Sequence, residues 1–206
     1  MRLLVASTNA KKLRELRELV KALPVEIVSP ADLDRPLPEV VEDAPTFAGN
    51  ASKKALAYAD ASGLPTVADD SGICVDALGG APGIYSARYS GEEPATDRDE
   101  QNNAKLLREL EGIPAAERGA AFHCAIALAL PGEIFRVVEA DWRGVIIDQP
   151  RGEGGFGYDP LFLLPALGKT SAELTSDEKG HLSHRGQAMR LLLPVLEELA
   201  LARGRA

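Results

Sequence analysis

Val67-Ala68-Asp69-Asp70-Ser71-Gly72 sets two adjacent carboxylates and a hydroxyl at the end of a short apolar run, where a strand should stop. Two carboxylates there cost energy unless something positive sits between them. Paired acids just past a strand suit Mg²⁺, a hard ion that takes oxygen ligands and shares its coordination with water and phosphate oxygens. The implied substrate is a phosphate compound. Asp, Ser and Gly are also the commonest turn formers, so a simple capped turn is the competing reading.

A second candidate opens the chain. Leu3-Leu4-Val5-Ala6 reads as a buried strand, and Ser7-Thr8-Asn9-Ala10-Lys11-Lys12 follows as a turn into a helix. Backbone N–H groups at a helix start, joined by lysines, make an anion site, although the glycine pattern of a P-loop is missing. Asn50 and Lys54 stand one helical turn apart and share a face. The Pro-rich stretch from Pro30 to Pro45 carries Glu39, Glu42 and Asp43, any of which can serve as a further carboxylate. Gly152-Glu153-Gly154-Gly155-Phe156-Gly157-Tyr158-Asp159-Pro160 is the densest glycine stretch, with aromatics able to stack on a base. Lys179, His184 and Arg185 add cations near a late helix start. His123 has no ligand-type neighbour at suitable spacing and reads as structural.

The elements that must position these groups follow from periodicity. Leu13, Leu16, Val20 and Leu23 predict a helix ended by Pro24, and Thr46 caps another whose apolar side holds Phe47, Ala51, Ala55, Tyr58 and Ala59. Val25 to Val28 and Ile73 to Leu78 alternate as strands. Pro94 to Leu110 reads as a helix with Leu106, Leu107 and Leu110 inward. Ala120 to Leu130 and Ile134 to Ala140 form a hairpin through Pro131-Gly132, which makes the sheet mixed. The last helix opens near Ser183, and Pro194 predicts a kink or break in it.

With 206 residues the chain suffices for one sizeable domain, 1–206, and Cys74 and Cys124 form neither a metal motif nor a disulfide framework. A net charge of −8, spread along the chain, argues against a polynucleotide track. No apolar run spans a bilayer and the N-terminus is not a signal peptide, so a soluble cytoplasmic protein without a membrane partner is expected.

Taken together, the Ser7 to Lys12 turn, the Ala68 to Gly72 acids, Gly155 to Asp159 and Ser183-His184-Arg185 resemble the inosine/xanthosine triphosphate pyrophosphatase family. Gly79 to Arg88 also resembles its bacterial members. The resemblance implies an α/β fold with a mixed twisted central sheet flanked by helices, two lobes with an active-site cleft between them, and a homodimer. It implies Mg²⁺-dependent hydrolysis of ITP, dITP and XTP to the monophosphate and pyrophosphate. Ser7, Thr8, Asn9, Ala10, Lys11 and Lys12 would match the triphosphate turn, and Lys54 would offset phosphate charge. Asp70 would be the general base and a metal ligand, with Asp69 and Glu42 as further metal acids and Glu39 the alternative to Glu42. Ser71, Phe156, Gly157, Tyr158, Asp159, Lys179, His184 and Arg185 would hold base and phosphates. One departure is Gly49, where the family often carries the acid that completes a capping box with Thr46. Two alternatives stand beside this reading: a septum-associated-type pyrophosphatase acting on other nucleotides, and a non-catalytic nucleotide-binding protein.

Overall fold

The computed structural model describes residues 1–91 and 96–203, apart from the side chains of Ala10, Lys11 and Glu15. β1 (Arg2–Val5) leads into α1 (Ala10–Val20), then β2 (Glu26–Val28), α2 (Phe47–Ser62) and β3 (Thr66–Val75). α3 (Arg98–Glu109) precedes β4 (Gly119–Leu130) and β5 (Glu133–Ile146), followed by β6 (Phe162–Leu164), β7 (Lys169–Thr170), α4 (Ser176–Leu182) and α5 (His184–Arg203). The strands form one seven-stranded sheet in the order β2-β1-β3-β4-β5-β6-β7. β1 runs parallel to β2 and to β3, whereas β6 is antiparallel to β5 and β7. A mixed sheet in an α/β fold is thus observed, as the Pro131-Gly132 hairpin required.

The chain divides into two compact units: Met1–Asp70 with Cys124–Ala140 and the chain from Arg185 onward, and Ser71–His123 with Asp141–His184. In the first, Leu13, Leu16 and Val20 of α1 and Ala188, Met189, Leu192 and Leu196 of α5 bury against Leu3, Val5, Val67, Cys124 and Ile126. In the second, Leu106 of α3 and Leu110 at its C-terminal end bury among Ile73, Val75, Phe122, Trp142 and Phe162.

Three expectations are corrected. Asp69 and Asp70 do not follow a strand; they lie inside the ten-residue β3, which continues to Val75 and absorbs the first half of the strand expected over Ile73 to Leu78. α5 runs through Pro194 without a break. Pro194 faces solvent, where water can satisfy the carbonyl that its missing N–H would have engaged. β6, β7 and α4 were not anticipated, because two- and three-residue strands carry no readable period. The start expected for α3 at Pro94 lies outside the described residues.

Candidate active site

In a strand, side chains alternate between faces, so positions two apart share one. Asp69 therefore lies with Val67, which packs in the α1 and α5 core, and Asp70 points the other way. Their partners agree. The Asp69 carboxylate meets Lys12 Nζ of α1 at 2.7 Å and Arg185 Nε of α5 at 3.4 Å, whereas the Asp70 carboxylate accepts from Asn50 Nδ2 of α2 at 3.0 Å. The side-by-side acid pair expected from sequence is thus split across β3. Burial acts to raise the Asp69 pKa, but Lys12 and Arg185 outweigh it and hold the carboxyl well below the usual range.

On the α2 side, Lys54 pairs with Glu42 and donates to the Asp69 carbonyl at 3.4 Å. Burial works against its charge, yet the Glu42 pair, with Asp69 and Asp70 nearby, keeps its pKa raised, so the ammonium persists. Glu42 reaches this cluster, whereas Glu39 is exposed. Asn50 and Lys54 do share a face, and Asn50 Oδ1 accepts from the Ala44 N–H at 2.8 Å. Thr46 Oγ1 caps α2 by accepting from the Gly49 N–H at 3.0 Å. An added Cβ at Gly49 would stand 2.7 Å from Ala44 Cβ, which explains why the capping-box acid is absent.

Among the described residues, no group of three or more His, Cys, Asp or Glu is gathered to hold a metal. Asp69, the other acid expected to meet a metal, pairs with Lys12 and Arg185. Asp70 and Glu42 supply hard carboxylate oxygens around one cationic group, a donor set that suits a divalent ion completed by water and phosphate oxygens.

At the opening turn, Ser7 Oγ accepts from the Asn9 N–H at 3.1 Å and Asn9 Oδ1 accepts from the Lys12 N–H at 3.3 Å. Asn9 thus caps α1. Thr8 and Asn9 are exposed, while the side chains of Ala10 and Lys11 lie outside the described residues.

Within the second unit the glycine loop is held from inside. Asp159 is 3% exposed; it accepts from the Phe156 N–H at 2.9 Å and Ser171 Oγ at 2.8 Å, and pairs with Lys179. Gly155, at φ +78°, has no room for a side chain because a Cβ would run into that carboxylate. The buried Tyr158 hydroxyl donates to the Ser86 carbonyl at 2.8 Å. Tyr158 and Asp159 therefore spend their polar groups on tying the loop to Ser86, Ser171 and Lys179. Phe156 is 53% exposed, with Lys179 Nζ 5.1 Å from its ring centroid. His184 is buried and stacks on Phe122 at 4.9 Å and 10°. Ser71 is half-buried on β3.

Two residues that hold this loop were not anticipated. Asp99 Oδ2 accepts from the Gly157 N–H at 2.6 Å and Asn103 Nδ2 donates to the Gly157 carbonyl at 3.0 Å, so α3 clamps both polar groups of one peptide residue. Their only signal was a four-residue spacing on a polar helix face.

The sequence profile of the Ham1 family matches residues 3–195. A dITP/XTP pyrophosphatase of Anaeromyxobacter dehalogenans is 52% identical over 99% of this chain and 100% of its own length. One from Geobacter sulfurreducens is 53% identical over 93% and 94%. Among solved structures, a HAM1 protein of Coxiella burnetii superimposes with a TM-score of 0.88 at 39% identity, covering 96% of this chain and 99% of that one. The nucleoside-triphosphatase, dITP/XTP pyrophosphatase, of Mycobacterium abscessus gives 0.77 at 47%, covering 94% and 100%.

Proposed function

Since the chain belongs to the Ham1 family, we propose that it hydrolyses the non-standard purine nucleotides dITP, XTP and ITP to the monophosphate and pyrophosphate, clearing them from the nucleotide pool. What supports this most directly is the division of labour on β3, one acid neutralised by Lys12 and Arg185 and the other bonded to Asn50 and close enough to act on the Lys54 ammonium that pairs with Glu42. Asp70 and Glu42 would hold a divalent ion, Mg²⁺ in this reading, which when bound polarises phosphate oxygens and lowers the pKa of water.

The chain's own groups do the rest. Asp70 orients and deprotonates a water for attack at the α-phosphorus. Lys54, Lys12, Lys11 and Lys179 offset phosphate charge, and Ser7, Thr8, Asn9, Ala10 and Ser71 position the phosphates. Phe156 offers a face to the base, with Gly157, Tyr158 and Asp159 shaping the loop. His184, Arg185 or loop N–H donors meet the 6-oxo group of hypoxanthine or xanthine, which adenine lacks; ATP would leave those donors unpaired. We further propose a cytoplasmic homodimer, to be checked by light scattering.

The test is pyrophosphate release from dITP, XTP, ITP, ATP and GTP with Mg²⁺, beside an Asp70→Asn control. Fast release from the first three, slow release from ATP and GTP, and loss in the variant are expected. Hydrolysis of none, or of all alike with the variant intact, overturns the reading; preference for a pyrimidine nucleotide would favour the septum-associated type, and Mg²⁺-independent binding without turnover the binding protein.

A further inference from the structure

Asn50 is the most completely buried polar side chain of α2, 1% exposed, on a helix face otherwise filled by Phe47, Ala51, Ala55 and Ala59. A carboxamide in such a place is costly unless both its ends are used. Both are. Oδ1 accepts from the Ala44 N–H at 2.8 Å, and Nδ2 donates to Asp70 Oδ2 at 3.0 Å. Ala44 lies two residues beyond Glu42, and one turn further along α2 the Lys54 ammonium takes Glu42 itself. The segment carrying Glu42 belongs to no helix or strand, so it has no hydrogen-bond ladder of its own to set its register. A single amide therefore joins the backbone of that segment to the carboxylate on β3.

We propose that Asn50 is the positioning residue of the divalent-ion site: its carboxamide fixes the Asp70 carboxylate relative to the Glu42 segment, so that the two acids meet an incoming ion as a preset pair. The inference rests on the assignment of Asp70 and Glu42 as metal acids in the proposed function. Asn50 touches neither phosphate nor ion in this scheme. Its contribution is that of outer partners to metal ligands, whose loss typically lowers metal affinity about 10- to 100-fold.

The experiment uses the full chain with Asn50→Leu, which keeps the volume but has no polar ends, and Asn50→Ala. Mn²⁺ binding to the nucleotide-free protein is measured by calorimetry, alongside the Mg²⁺ concentration for half-maximal pyrophosphate release and the KM and kcat for dITP at saturating Mg²⁺. Mn²⁺ affinity should fall about tenfold or more and the Mg²⁺ requirement rise by a similar factor, with the KM for dITP changed by less than about threefold. A purely structural Asn50 would lower thermal stability while leaving metal affinity unchanged, and that result overturns the proposal. If neither variant folds, the wild-type Asn50 side-chain amide is followed by NMR. Its resonances should shift on addition of Mg²⁺ and lose that response in Asp70→Ala; an amide indifferent to both also overturns it. The two levels separate cleanly: no dITP or XTP hydrolysis by wild-type protein removes the proposed function but leaves the Mn²⁺ comparison decisive, whereas active variants with unchanged metal affinity remove only the role of Asn50.

Discussion

Asp69 and Asp70 are neighbours of identical chemistry with different duties, and substitution should separate them. Asp69→Asn leaves Lys12 and Arg185 without their shared countercharge in a largely buried place, a loss on the order of 3 kcal/mol by denaturant titration. The same pair predicts the acid behaviour. The folded Asp69 carboxyl keeps its charge below the ordinary value of 3.8, at which the unfolded chain takes up a proton, so its contribution is present above that pH and lost as pH falls towards the folded value. Asp69→Asn should flatten that acid slope. Asp70→Asn keeps the shape and an acceptor for Asn50, so it should retain the fold while losing about a hundredfold or more in turnover. Near-normal turnover in Asp70→Asn would remove it as the base. The types and positions of these acids were legible in the sequence; their opposite directions were not, because the apolar run stops at Ala68 and so signals a strand end, and only a continuing strand imposes alternation.

Helices gave themselves away and short strands did not. α1 and α2 were legible because apolar residues recur every three or four positions and because Thr46 and Pro24 mark ends; β6 and β7 exist through tertiary pairing alone. Local rules also invert where elements press together. Replacing a helical glycine by alanine ordinarily stabilises by up to about 1 kcal/mol. At Gly49 the new Cβ would stand 2.7 Å from Ala44 Cβ, on a residue whose N–H is held by Asn50, so the neighbour cannot easily withdraw. Overpacking of about 1–3 kcal/mol wins, and Gly49→Ala should lower the melting temperature, measured by circular dichroism. A raised melting temperature would show that the Ala44 segment yields.

At the scale of the whole molecule, the chain passes between its two compact units at 70/71, 123/124, 140/141 and 184/185, and three of those passages fall within β3, β4 and β5. Elements that belong to both units cannot melt in one alone without losing their own ladder. Each unit carries a natural reporter. The single tryptophan, Trp142, is buried in the second core, and Cys124 is buried in the first. Burial pushes the Cys124 thiol up to about 12, so it should resist alkylation at pH 8 in the folded protein. Trp142 fluorescence and Cys124 alkylation should therefore report one coincident transition across a urea series; separated midpoints would show that the units unfold independently.

The clamp on Gly157 also bears on substrate preference. Asp99 and Asn103 grip only main-chain atoms there, and a grip on the main chain is indifferent to the side chains on either flank. The loop can thus keep its course while the half-exposed Phe156 is exchanged; if Phe156 faces the base as proposed, substitution there should shift substrate preference with little penalty to the scaffold.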